Sequence, residues 1–143
     1  MKSEETIDFH IRWAWYNISR MYSIKAGKFG GSMAIGYTLL NIDKQGTPST
    51  KLAPKMGMEP RSLTRMIKQL DKSGLIKKQS DKNDKRLVRI FLTEKGKQVR
   101  SKARDVVISF NNEIQDQIDA KELATFLSVL NKVNYLIDKN YTL

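Results

Sequence analysis

Eight side chains in the middle of the 143-residue chain offer the plainest chemistry in the sequence. Arg61, Ser62, Thr64, Arg65 and Lys68 fall on the polar side of a stretch whose apolar stripe is Leu63, Met66, Ile67 and Leu70. Lys82, Lys85 and Arg86 follow in the polar run 80–86. All eight are hydrogen-bond donors and six are cations. A helix carrying such a row fits the major groove of duplex DNA, where each base pair shows a distinct donor and acceptor pattern. A hairpin tip carrying Lys and Arg reaches the phosphate backbone or the negative potential of the minor groove.

The charge distribution points the same way. The chain has 26 Lys and Arg against 15 Asp and Glu, a net charge of +11. Residues 1–50 hold +2, residues 51–104 hold +12 and residues 105–143 hold −3. A solvated surface mixes its signs, so a segregated basic block implies a polyanionic partner. Other chemistries are excluded or unsupported. Without cysteine there is no disulfide, thiol nucleophile, thiol redox switch or Cys-type zinc site. His10 is the sole histidine, which rules out a site with several imidazole ligands. No phosphate-cradling glycine motif is present. The sequence therefore predicts a protein that is not an enzyme and needs no cofactor or metal. No apolar run approaches a membrane span, and the acidic start does not resemble a secretory signal, so the expected location is cytoplasmic, without a membrane partner.

Positioning these donors takes a specific order of elements. Residues 6–26 repeat Ile7, Ile11, Trp15, Ile18 and Tyr22 at helical spacing, with Phe9, Trp13 and Tyr16 as a second apolar line. Such a helix is sandwiched within its own domain or shared with a partner subunit. Trp13, Trp15, Tyr16 and Tyr37 read first as core. Residues 32–43 read as a second buried helix, and 43–46 as a turn. Thr47 and Pro48 predict the cap and first residue of a short third helix. Pro54 fits that helix poorly and implies a later start or a kink. Gly57 ends it, Pro60 opens the next helix, and Ser73-Gly74 stops it, which is helix-turn-helix spacing. Two strands, 75–79 and 87–92, flank the charged loop. Thr93 caps a long helix, and Asp119 with Glu122 forms a capping-box pattern for the last.

Residues 59–96 carry Ser62-Leu63-Thr64-Arg65, the exit Leu70…Gly74-Leu75-Ile76, the pair Asp84-x-Arg86 and the run Leu92-Thr93-x-x-Gly96. Together these motifs resemble the MarR family of bacterial transcriptional regulators, and the element order resembles it over the whole chain. The resemblance implies a mainly α fold with a small β-hairpin wing (α+β). A winged helix-turn-helix lobe at about 32–92 would be flanked by dimerisation helices at about 1–26 and 105–143, all in one domain. It implies that Arg61, Ser62, Thr64, Arg65 and Lys68 face the groove and that Lys82, Lys85 and Arg86 serve the wing, with Asp84 structural and Arg86 braced by it.

The implied function is a sequence-specific regulator of transcription: a homodimeric repressor on a pseudo-palindromic double-stranded operator. A small aromatic or amphipathic effector would release it from a pocket between the first helices and the DNA-binding lobe, which the aromatics of those helices would line. The alternative is a winged-helix module that binds protein or RNA without an operator. His10 reads as a packed or surface residue, and the cations at 77, 78, 95, 97, 100, 102 and 104 as a solvated face or as phosphate contacts.

Overall fold

The computed structural model describes residues 1–141. After a 3-10 turn at Ser3–Glu5 the elements run α1 (Ile7–Gly27), α2 (Met33–Leu40), β1 (Thr47–Pro48), α3 (Ser49–Met56), α4 (Pro60–Lys72), β2 (Ile76–Ser80), β3 (Val88–Leu92), α5 (Glu94–Gln117) and α6 (Ala120–Asn140). The fold is mainly helical with one small antiparallel sheet. The chain divides into two compact units, Met1–Val106 and Val107–Leu143, and α5 runs through the division.

The core of the first unit is built by residues 39–92. Leu39, Ile42, Leu52, Leu70 and Ile90 are wholly excluded from solvent, and Leu63, Ile67 and Ile76 are buried with them. α4 shows how pattern becomes packing. Leu63, Ile67 and Leu70 recur at helical spacing and are its buried residues. Pro60 at its start has no N–H to leave unpaired. At its end Gly74 turns into the left-handed region (φ +72°), and the Leu75 N–H donates to the Leu70 carbonyl at 3.0 Å. A side chain at position 74 would strain that backbone.

The sheet order is β1-β3-β2, antiparallel throughout. Sequence periodicity predicts two strands, and the structure has three. Thr47 and Pro48 form a short edge strand, pairing with Ile90 and Arg89, and do not open α3. Pro48 suits an edge because it lacks a ladder donor. The Thr47 hydroxyl accepts from the Asp43 N–H at 2.9 Å and so is not a helix cap. α3 begins later, at Ser49, with Pro54 inside it and Gly57 closing it in the left-handed region (φ +62°).

The first helices also differ from expectation. α1 has no buried residue. Trp13, Trp15, Tyr16 and Tyr37, read from sequence as core, are 52%, 56%, 50% and 42% exposed. Ile18, Ser19, Met21 and Tyr22 are half-buried, as are Phe9, Lys25 and Ala26, so the unit covers α1 only in part. Phe9, Trp13 and Tyr16 instead stack on one another, Trp13 and Tyr16 edge-on at 5.8 Å. In α6, Asp119 caps as expected, but its carboxylate accepts from the Lys121 N–H at 3.0 Å. α6 has no buried residue, and Phe126, Leu127, Tyr135 and Leu136 are all more than half exposed.

The start of α5 is fixed by a close approach. Thr93 donates its hydroxyl proton to the Gly74 carbonyl (2.6 Å) and accepts from the Gly96 N–H (3.0 Å), while the Thr93 N–H donates to the Leu75 carbonyl (3.1 Å). A Cβ at Gly96 would collide with the Leu75 carbonyl oxygen. Gly96→Ala is therefore expected to destabilise the protein by about 1–3 kcal/mol, the range for inserting a methyl group into a packed site. Urea unfolding checks this; an unchanged midpoint would remove the close approach as the reason for glycine here.

Candidate nucleic-acid interface

α4 presents its polar face outward. Arg61, Ser62, Thr64, Arg65 and Lys68 are all exposed, on the side opposite the buried Leu63, Ile67 and Leu70. The helix thus keeps all five predicted residues together on one accessible surface. Thr64 donates its proton to the Pro60 carbonyl at 2.9 Å, which fixes the hydroxyl and leaves its lone pairs outward. None of the three cations Arg61, Arg65 and Lys68 has an ion-pair partner among the described residues. Their donors are available to a ligand.

The loop between β2 and β3 holds the second group. Lys82, Lys85 and Arg86 are exposed. Asp84 accepts from Arg86 three times: from the backbone N–H at 3.0 Å, from Nε at 3.1 Å and from Nη2 at 3.3 Å. Arg86 is held locally by Asp84, yet its side chain is 91% exposed, so the clamp orients the guanidinium without hiding it. Those bonds hold the Asp84 carboxyl below its ordinary pKa.

The wing's deeper anchor is not apparent from the basic motif. Asp81 is buried, and its Oδ1 accepts from the N–H groups of Asn83 (2.8 Å) and Asp84 (3.1 Å). Its Oδ2 accepts from Arg89 Nε, while Arg89 Nη1 donates to the Gly46 carbonyl at 3.1 Å. One carboxylate therefore shapes the loop, and one guanidinium joins that loop to the turn before β1. The available signal was Asp81-x-Asn83 at the head of the loop, a side-chain-to-backbone turn, with an arginine on the returning strand. The bond from Arg89, then those from the two amides, hold the Asp81 carboxyl below its ordinary pKa.

Among the described residues no group of three His, Asp or Glu side chains is placed to hold a metal. No described helix is long and apolar enough to cross a membrane.

Two short helices joined by a tight turn, an outward polar face on the second and a charged hairpin after it define a winged helix-turn-helix protein. The family model that matches is that of the MarR family, over residues 38–88. The matched segment is about a third of the chain and holds the helix-turn-helix and most of the wing. Solved structures show the same fold over nearly the whole chain. The S. aureus MepR–DNA complex is 17% identical with a TM-score of 0.82, covering 91% of this chain and 97% of that one. A mutant MarR from E. coli complexed with operator DNA is 23% identical with a TM-score of 0.76, covering 86% and 89%. CouR from Rhodococcus jostii RHA1, bound to p-coumaroyl-CoA, is 18% identical with a TM-score of 0.80, covering 93% and 94%.

The wing generates a prediction in pH. Asp81 and Asp84 have depressed pKa values in the folded state, so their stabilisation is complete above the unfolded carboxylate range and is lost as pH falls through the folded values. Wing order should be flat from about pH 5 to 8 and fall in more acidic solution. Asp81→Asn should remove the Asp81 share of that acid transition and speed amide exchange at residues 83 and 84. Exchange at those two amides unchanged in the variant would show that another group shapes the loop.

Proposed function

We propose that the protein is a cytoplasmic, homodimeric repressor that binds a pseudo-palindromic duplex operator and is released by a small-molecule effector. The observation that carries this reading is α4. Five polar side chains share one exposed face, held in place by a buried stripe, and Arg61, Arg65 and Lys68 have no ion-pair partner among the described residues. In this reading Arg61, Arg65 and Lys68, with Ser62 and Thr64, enter the major groove, where base-edge hydrogen bonds discriminate sequence. Lys82, Lys85 and Arg86 contact the backbone or minor groove, and Asp84 holds Arg86 in orientation. Solved relatives of the same fold in complex with DNA support the reading.

Dimerisation is inferred from uncovered apolar surface. α1 exposes Ile7, Trp13, Trp15 and Tyr16, and α6 exposes Phe126, Leu127, Tyr135 and Leu136. Monomeric soluble proteins rarely leave such runs to water. Pairing two copies through the terminal helices covers them and sets two copies of α4 about one helical turn of DNA apart, roughly 34–36 Å. Repression then follows from occupancy of promoter DNA. An effector binding one spacing of the lobes better than another shifts the population away from the DNA-competent dimer. The structures of PcaV with its natural ligand and of CouR with p-coumaroyl-CoA support a small organic effector for this fold.

Duplex binding and light scattering test the proposal. Arg65→Ala should cost about 1–3 kcal/mol of discrimination between operator and random duplex if Arg65 reads a base edge. Replacing Lys82 and Lys85 with Ala should instead weaken all duplexes alike and reduce the salt slope by about two. A protein that prefers single-stranded RNA to its own upstream duplex overturns the operator reading. Light scattering should give twice the 16.5 kDa chain mass; a stable monomer at micromolar concentration overturns the dimer.

A further inference from the structure

A second cationic site lies away from the outward face of α4. A cavity of about 510 Å³ is lined by residues 43–48, Lys51, Lys55 and Arg89. Four of these side chains are cationic and one, Asp43, is a carboxylate. Asp43 is already engaged by Lys55 at 3.5 Å, and Arg89 by Asp81. Lys44 and Lys51 have no ion-pair partner among the described residues. Two uncompensated ammonium groups on one concavity raise its potential and favour an anion between them.

The polar wall of the cavity points to a ligand as well. Thr47 is buried, 4% exposed, and its oxygen accepts from the Asp43 N–H. Its own proton goes to no acceptor among the described residues, although buried donors are normally satisfied. Arg89 spends Nε and Nη1 on Asp81 and the Gly46 carbonyl, which leaves further N–H donors on a five-donor group. Pro48 is the sole large apolar side chain of the lining, so an aromatic effector has little to pack against.

We propose that this cavity is a phosphate site, with Lys44 and Lys51 as its charges and Thr47 as its buried donor. A phosphate group carries up to two negative charges and several acceptor oxygens, which suits two ammonium groups and a hydroxyl better than a single carboxylate does. The phosphate comes either from a free phosphorylated small molecule or from the DNA backbone. The proposal goes beyond the reading of α4 and the wing and does not require that reading to hold.

The test compares the full-length protein with K44A/K51A and with K121A/K132A, an equal loss of charge on exposed α6 lysines outside the cavity lining. Inorganic pyrophosphate is titrated at constant ionic strength while the amide signals of residues 44–47 and 51 are followed. Duplex affinity is measured over a range of salt. Saturable shifts at those amides, with at least tenfold weaker binding in K44A/K51A alone, establish a site for free phosphate ligands. A salt slope reduced by about two in K44A/K51A but not in K121A/K132A establishes a backbone phosphate contact. If K44A/K51A behaves like K121A/K132A in both assays, the proposal is overturned. A protein that binds no duplex at all fails the operator reading, while the pyrophosphate titration still reads the cavity.

Discussion

The arrangement of the winged-helix lobe depends on the few ångströms where the exit of α4 meets the first turn of α5. Gly74 ends one helix, Thr93 begins the other, and the Thr93 hydroxyl spans the gap between them. The Leu75 carbonyl receives the Thr93 N–H and lies against Gly96, where no side chain fits. β2 leaves from this point and β3 returns to it, with Ile76 opposite Leu92. α4, the base of the wing and the first turn of α5 are thus fixed to one another by main-chain geometry. Lys95 adds a bond to the Ser73 carbonyl at 3.1 Å. A shift of α5 in its first turn cannot leave α4 and the hairpin undisturbed.

The wing solves a different problem, since it must be ordered and exposed together. A charged loop of seven residues has little apolar surface to bury. Its order comes from carboxylates accepting main-chain N–H groups, and such charge-assisted bonds are stronger than neutral ones. Asp81 and Asp84 hold the loop, and Arg89 ties it to the turn before β1. With the acids engaged within the wing, Lys82 and Lys85 are exposed and have no ion-pair partner among the described residues. The division explains why a loop so basic contains two aspartates: removing them would increase positive charge and lose the shape that presents it.

The helix-turn-helix was legible because its determinants are local. Pro60, the Leu63–Ile67–Leu70 stripe and Gly74 act within one helix, and helical spacing sorts the donors of α4 onto one face. The capping role of Thr93 was legible for the same reason. What escaped the sequence was non-local. β1 is two residues long and exists because β3 passes beside it, a pairing of Thr47 with Ile90 that no periodicity shows. Arg89 looked like one more cation in a basic block, and its role needs both Asp81 and Gly46 brought to it. The exposure of the α1 aromatics is non-local in the same sense. An apolar residue at helical spacing reports that something covers it and does not say whether the cover lies in the same chain.

That last ambiguity is physically informative. α1 and α6 are each 21 residues long, and neither buries a single residue in the chain by itself. Helices in water owe most of their stability to packing of an apolar face, not to propensity. Elements that leave tryptophan, phenylalanine and leucine half-exposed therefore have little in one chain to hold them rigid. If a second copy supplies the missing cover, helix order and association become one equilibrium, and apparent stability depends on protein concentration. The buried lobe at 39–92 does not need that help, since its core closes within one chain. Order in the lobe thus comes from within one chain, while order in α1 and α6 depends on what covers their apolar faces.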